Sequence, residues 1–388
     1  MEPAVILATH TAGLGVVRAL GRMGVPIIAV CYDKKEDFGY LSKYVRRTIF
    51  APHPERETEE FIGVLMSSGD TLSGSILIPS NDFTVVAVSR HKKLLERHYR
   101  VACNDWRVTS RFIDKRQTYE IAAAAGVPTP RTVIPSSAED ATRAGRMLGF
   151  PCLIKPCHGH TYYELFRRKM VKAETCEQLL ASYRQATDSG AEVMIQEIIP
   201  GLDVDVVNYN AYFWEGEPLV EFTAEHTRNA PPSFGSPRVA MSKNIPEVIQ
   251  PGRTTLRAIG FSGYACTEFK RDARDGVYKL MEVNGRHNLS TMLAVKCGIN
   301  FPWIQYNHLL HGVVPGPAQF DVNMYWIDIL RDLGYGLKYR KTEAYRMREY
   351  LAPYLGRHVH AVFDLTDLVP FLKRLSDSAG WLKRFDSL

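Results

Sequence analysis

The sequence predicts a mixed α/β and α+β chain, with a small open parallel sheet in front, a two-part body behind it and a mostly helical extension at the end. Three observations predict this. Short apolar runs alternate with amphipathic segments over the first hundred residues, as strand–helix–strand units require. Strand-like and helix-like segments then mix as far as Gly312, with hairpin spacing in the later part. Beyond Pro315 the composition turns aromatic and basic.

The first strand is Ala4 to Ala8, followed by Gly13 and Gly15 and an amphipathic segment from Val16 to Gly24; Val25 to Val30 completes the unit. Gly13-x-Gly15 falls short of a dinucleotide fingerprint, because Arg18 stands where the third glycine belongs and no acidic residue occupies a clear ribose-binding place. A tight strand-to-helix turn is the simpler reading. Ile76-Leu77-Ile78 repeats the strand, Ser80-Asn81-Asp82 the polar turn and Val85 to His98 the helix, which gives a first domain of residues 1 to 112.

The body spans residues 113 to 314. Its first helix, Asp114 to Ala125, is stopped by Gly126-Val127-Pro128. Strands are expected at Arg131 to Ile134, Cys152 to Lys155 and Val193 to Ile199, with helices Ala138 to Leu148 and Cys176 to Ala186 between them. A strand-rich stretch follows from Asp205 to Thr223, and Glu225 to Arg238 reads as a loop whose Arg228 or Arg238 could hold a substrate carboxylate. Gly263 to Phe269 and Tyr278 to Val283 read as paired strands turned at Asp275-Gly276. In the extension, residues 315 to 388, helices are expected at Ile327 to Leu333 and Leu368 to Leu375.

Composition narrows the function classes. With 45% hydrophobic and 23% charged residues the chain can build a core, so disorder is excluded as a starting point. Its 48 basic and 42 acidic residues are interspersed, so a net charge of +6 suits anionic small molecules and does not predict nucleic-acid binding. The basic and aromatic residues of the extension are read as a helical face packed on the body. Seven scattered cysteines with no metal spacing fit reduced thiols in a cytoplasm. No apolar run is long enough to predict stable membrane insertion, and Glu2 before the short apolar run argues against a signal peptide.

The chemistry concentrates in Cys266-Thr267-Glu268 and Glu282-Val283-Asn284-Gly285-Arg286. Glu282 and Asn284, two apart on a strand, share a face, and pairing through the Asp275-Gly276 turn brings Glu268 beside Glu282. Two carboxylates and an amide form a hard oxygen set for magnesium or manganese, and Arg286 beyond them suits anionic oxygens. Lys155 ends a strand before a loop, and Lys115 opens a helix, so both ammonium groups can reach phosphates. Gln196-Glu197-Ile198-Ile199 offers a backbone edge for adenine, and Asp203 an acid for ribose hydroxyls.

Taken in order, Lys115, Lys155-Pro156, Gln196-Glu197-x-Ile199, Glu268 and Glu282-x-Asn284-x-Arg286 resemble the ATP-grasp superfamily over roughly residues 1 to 312. The details resemble its carboxylate–amine ligase branch, near the D-aspartate ligase-like proteins. The resemblance implies ATP held between two α+β subdomains, one of them a lid of about residues 117 to 194. It implies Lys115 and Lys155 on phosphates, Gln196, Glu197 and Ile199 on adenine, and Asp203 on ribose. Glu268, Glu282 and Asn284 would hold magnesium, with manganese as a substitute, and Arg286 would stabilise the transferring phosphoryl group. The substrates implied are a small carboxylic acid and an amine, and a homodimer is compatible with the resemblance. Departures are the loop Pro156-Cys157-His158-Gly159-His160-Thr161, which has one glycine, Gly285 in place of a frequent proline, and Cys266 where D-alanine–D-alanine ligases carry arginine. His158 and His160 are candidate bases on that loop.

Overall fold

The computed structural model describes residues 1–157, 162, 166, 170–233, 235–343 and 345–382. Its strands form three sheets. The first is parallel, in the order β3 (Val45–Phe50), β2 (Ile27–Cys31), β1 (Ala4–Leu7), β4 (Ile76–Pro79), β5 (Arg100–Val101). Every residue of β1 is buried, as a central parallel strand covered on both faces requires. Val16, Leu20 and Tyr306 pack on one face, and Phe61, Leu65 and Val88 on the other. Helix α1 (Thr11–Gly21) starts earlier than its periodicity predicts, because His10 caps it by accepting from the Ala12 N–H. Gly13 is needed for this tight turn: a Cβ there would lie 2.0 Å from the Ala8 carbonyl oxygen. Arg18, in the place of the third glycine, is buried and paired with Asp367 at 2.9 Å.

The second is a four-stranded sheet, β6 (Thr132–Val133), β9 (Val193–Glu197), β7 (Cys152–Pro156), β8 (Val171–Ala173), backed by helices Ala138–Leu148 and Cys176–Asp188. Ala141, Ala144 and Leu179 of those helices meet Cys152, Ile154 and Ile195 of the strands.

The largest sheet runs β14 (Tyr278–Asn284), β13 (Gly263–Arg271), β10 (Val206–Trp214), β11 (Glu217–Ala230), β12 (Ser236–Ser242), β15 (Tyr325–Ile327), β16 (His358–His360). Alternation along β10 separates its faces. Val207, Tyr209, Ala211 and Phe213 pack on Phe112, Ala122, Leu256 and Ile259, whereas Tyr212, with Phe222 and Tyr264, packs against Leu14 and Leu293. Asn208 and Asn210 continue that second face, and their partners in register are Glu268 and Cys266. The polar half of this face is the floor of the candidate site.

Two expectations are corrected. The supposed loop Glu225 to Arg238 is the end of β11 and the start of β12, held in register from Ala224↔Ser242 to Ala230↔Ser236. Arg228 and Arg238 are fully buried and pair with Asp332, each at 2.8–2.9 Å, with Glu343 also on Arg238, so neither guanidinium is available to a substrate. The extension is mostly helical, with helices Ile329–Glu343, Met347–Leu355 and Val369–Leu382, yet it also lends β15 and β16 to the edge of the main sheet. Residues 327 and 360 are therefore strand ends and not parts of a detached appendage. Among the described residues no helix is long and apolar enough to cross a membrane.

Candidate active site

The β13–β14 hairpin sets the site. Gly276 adopts the positive φ of 75° that its turn requires, and the Asp272 N–H donates to the Val277 carbonyl at 2.9 Å to close it. The resulting register places Glu268 opposite Glu282 and Cys266 opposite Asn284, with a bulge directly after Glu268. The pairing anticipated from the sequence is thus the observed one.

A line of charge and amide contacts crosses the floor. Lys115 Nζ donates to Glu282 Oε2 at 2.8 Å, and Asn284 Nδ2 to Glu282 Oε1 at 3.1 Å. Arg286 donates to Asn284 Oδ1 at 3.1 Å and, through Nε, to Asp82 Oδ1 at 2.6 Å. Asp82 is the first residue of the helix after β4, so this line joins the parallel sheet to the main sheet. Burial disfavours the charged form of Lys115, but the adjacent Glu282 carboxylate overcomes it and raises the ammonium pKa, so the lysine stays protonated.

Among the described residues no three His, Cys, Asp or Glu side chains converge. What the hairpin brings together is two carboxylates and an amide oxygen, all hard donors, which fits a magnesium or manganese ion whose remaining ligands are phosphate oxygens and water.

Lys155 lies on β7 of the four-stranded sheet. Its Nζ donates to Tyr119 Oη at 3.1 Å and Gln196 Oε1 at 3.3 Å, which ties β7 to the end of β9. Tyr119 in turn donates to the Met281 carbonyl at 2.8 Å. Burial would raise the phenol pKa, yet Lys155 and Lys115 more than offset this and lower it. Tyr119 went unnoticed in the sequence, although it stands four residues after Lys115 and therefore on the same helix face.

Glu197 and Asp203 have structural partners. Glu197 accepts from the Arg131 N–H at 2.8 Å and from Arg274 at 2.9 Å, and these contacts, outweighing burial, lower its pKa. Its side chain therefore braces the strand end, and what it offers a ligand is its backbone. Ile199 is buried next to it. Asp203 accepts from the Asn229 and Ser233 N–H groups, both at 2.8 Å, and from Asn229 Nδ2 at 3.3 Å. Those bonds fix the β11–β12 turn and engage both carboxylate oxygens, each of which keeps a lone pair for a further donor.

On the far side of Arg286, Asn288 Nδ2 donates to Asn210 Oδ1 at 2.9 Å and lies 3.3 Å from Cys266 Sγ. Cys266 is a buried thiol whose pKa burial pushes up to about 12, so it gives this corner a neutral side chain. His287 stacks on Tyr264 with ring centroids 4.3 Å apart, and its Nε2 faces Gln305 Oε1 at 3.0 Å. That packing makes it a core residue and not a mobile base. His158 and His160 lie outside the described residues. His10, beside Arg286 and Asp82, and His226, at the other end of the floor, were missed, because neither belongs to a motif.

No family model matches the chain. Among curated proteins it is similar to a D-aspartate ligase of Enterococcus faecium (strain Aus0004), 28% identical over 244 residues that span 58% of this chain and 56% of that one. A D-alanine–D-alanine ligase of Pseudomonas putida (strain GB-1) is 26% identical over 200 residues, 49% of this chain and 61% of that one. The chain thus spans between half and two thirds of these relatives. A biotin carboxylase–ATP analogue complex from Campylobacter jejuni superposes with a TM-score of 0.67 at 16% identity, over 84% of this chain and 74% of that one. At that identity the likeness speaks for the fold. Fold, order of site residues and relatives agree in what the chain resembles, the carboxylate–amine ligases of the ATP-grasp superfamily.

Proposed function

We propose that the chain is an ADP-forming ligase that spends ATP to activate a small carboxylic acid and then joins it to an amine. The observation that carries this reading is the unbroken line Lys115–Glu282–Asn284–Arg286–Asp82 with Glu268 paired opposite Glu282. It sets acidic metal donors between a partly buried lysine and a partly buried arginine, which is the charge pattern phosphoryl transfer to a carboxylate needs.

A carboxylate approaching a triphosphate meets repulsion between two anions, so catalysis consists mainly of fixed positive charge at the right places. In this reading Glu268, Glu282 and Asn284 hold magnesium or manganese, which neutralises phosphate oxygens. Lys115 and Lys155 supply two ammonium groups for the same phosphates, and Tyr119 fixes the Lys155 end. The backbone of Gln196, Glu197 and Ile199 receives the adenine. Arg286 stands nearest the first domain and stabilises the equatorial oxygens during transfer and the acyl phosphate after it. Amine attack then expels phosphate and forms the amide bond.

The D-aspartate ligase relative supports an amino acid as one substrate, and the Asp82–Arg286 pair supports the same class. An ammonium group suits Asp82, while a carboxylate suits Arg286. Wild-type protein is expected to release phosphate only when both an acid and an amine are supplied. Glu282→Gln should abolish that release while the circular dichroism spectrum stays native. Oxygen-18 from the substrate carboxylate should appear in the released phosphate; its absence would exclude the acyl phosphate. Nucleotide binding without turnover across an acid and amine panel would favour a binding module instead.

A further inference from the structure

The extension carries exposed large apolar side chains in stripes, Leu333 and Leu337 on helix Ile329–Glu343, then Met347, Leu351 and Leu355 on helix Met347–Leu355. A spacing of four puts each set on one side of its helix. The way the second helix is attached turns its stripe outward. Tyr350 Oη donates to the Asp332 carbonyl at 2.9 Å and Tyr354 Oη to the Asp332 carboxylate at 2.7 Å, and Pro353, between them, is buried. A Cβ at Gly336 would lie 2.4 Å from the Tyr350 hydroxyl, so the two helices lie in close contact. Met347 is left 72% exposed and Leu355 83%.

The charge beside this stripe is positive. Arg348 and Leu355 are seven residues apart, about two turns, and so lie along one line of the helix, while Arg346 stands just before its first turn. Both arginines are exposed. The acids close by in the chain are turned away or engaged. Glu349 lies about 160° around the axis from Met347 and Leu351, and it accepts from the Arg346 N–H at 3.1 Å. Glu343 pairs with the buried Arg238, and Asp332 with Arg228 and Arg238. Beyond the helix, Arg357 takes Asp321 at 2.6 Å.

Rows of exposed apolar side chains on a folded surface mark a place of contact. Side chains as exposed as Met347 and Leu355 stand on a crest without walls, and a crest suits a soft apolar medium better than a shaped protein groove. The flanking arginines select an anionic one, because phosphate headgroups accept what guanidinium groups donate. A nucleic acid would meet the arginines but gain nothing from the leucines and methionine. We propose that helix Met347–Leu355 docks the protein onto an anionic lipid surface: Met347, Leu351 and Leu355 enter the boundary between headgroups and acyl chains, and Arg346 and Arg348 meet lipid phosphates. The chain then lies on the surface and does not span it, which agrees with the lack, among the described residues, of a helix long and apolar enough to cross. The docking stands apart from the ligase reading and needs no nucleotide.

The test is co-sedimentation of the full chain with phosphatidylcholine vesicles, made with and without phosphatidylglycerol. Wild type should partition onto the phosphatidylglycerol vesicles about tenfold or more strongly than onto phosphatidylcholine alone, and added salt should weaken that binding. The double variant Leu351→Glu, Leu355→Glu sets two carboxylates on the crest and should lower binding about tenfold or more; both sites are exposed, so its melting temperature should stay close to that of wild type. Arg348→Gln should cost about fivefold, the share of one basic residue in the attraction, and decides the matter if the double variant fails to fold. No binding by wild type, equal binding to both kinds of vesicle, or undiminished binding by either variant would overturn the proposal. A wild-type dimer that the double variant no longer forms would overturn it too, since a second copy would then cover the stripe.

Discussion

Asp332 is the centre of a buried ion cluster that joins β11 and β12 to the C-terminal helices. Its carboxylate is fully buried, accepts from Arg228 Nε and NH2 at 2.9 and 2.8 Å and from Tyr354 Oη at 2.7 Å, and lies 2.9 Å from Arg238 Nε. Tyr350 adds its ring over Arg228 at 4.4 Å. Replacing Asp332 by asparagine keeps the shape and removes the charge, leaving Arg228 unpaired in a site where no water reaches it. Breaking one partner of a buried ion pair costs about 3–5 kcal/mol. Glu343 still compensates Arg238, so the loss falls mainly on Arg228 and the lower part of that range applies. At about 2 cal/mol/K of unfolding entropy per residue, a chain of 388 residues loses roughly 1 °C per kcal/mol, which gives about 3–5 °C if it unfolds as one unit. Differential scanning calorimetry of Asp332→Asn measures this directly. The triple variant Arg228→Met, Asp332→Leu and Tyr354→Phe should recover part of the loss, because a charge-free cluster of similar volume needs no compensation. A melting temperature within 1 °C of wild type for Asp332→Asn would refute the account.

Tyr119→Phe removes the hydroxyl between Lys155 and the Met281 carbonyl; the KM for ATP should rise up to about tenfold with kcat changing less, as read by phosphate release. Gly13→Ala sets a methyl against the Ala8 carbonyl oxygen and should lower stability by about 1–3 kcal/mol in urea unfolding. Acid should destabilise the protein: burial holds His226 and His287 near pKa 4, whereas the unfolded chain takes those protons near 6.5. Between those values the unfolded state binds more protons, so stability falls as pH falls, by about 3 kcal/mol for each histidine by pH 4. Urea midpoints flat from pH 6.5 to 4 would contradict it. His287→Phe, by removing one of the four rings (His10, His226, His287, His360) that burial holds near pKa 4, should flatten the same curve by about a quarter.

The parts of this molecule legible in the sequence are those with local causes. The β13–β14 hairpin is one: alternation and an Asp-Gly turn set the register that pairs Glu268 with Glu282. Helix Ala138–Leu148 is another, with Ser137 as its cap and Gly149 as its stop. Where long-range partners decide, the sequence misled. Arg228 and Arg238 look like exposed loop cations until Asp332, about a hundred residues away, is seen between them. The backbone bonds that Asp203 accepts from the β11–β12 turn are likewise invisible in the sequence. β15 and β16 are three residues each, too short for a periodicity, and exist because the open edge of β12 is there to pair with.

These misreadings also say how the site is assembled. The proposed metal donors Glu268, Glu282 and Asn284 lie on a single hairpin, so their geometry is set locally; the groups around them come from four other parts of the chain. Lys115 and Tyr119 arrive on a helix, Lys155 on β7, Asp82 at the first helix turn after β4, and His226 on β11. Chemistry common to a superfamily can then stay fixed while specificity changes, because substitutions at Asp82, His10 or Cys266 alter the substrate corner without touching the hairpin register. Cys266 illustrates this. It sits opposite Asn284 in the ladder, where an arginine would bring a second guanidinium beside Arg286, and its neutral thiol instead receives the Asn288 amide. The proposed substrate corner consequently holds one guanidinium paired with one carboxylate, a balanced site. A zwitterionic amino acid can enter it by exchanging partners with Arg286 and Asp82, whereas a doubly charged anion would leave Asp82 repelled. Cys266→Arg should therefore shift the preferred acid toward more anionic substrates in a paired-substrate screen; an unchanged preference would show that the corner is not where the acid is read.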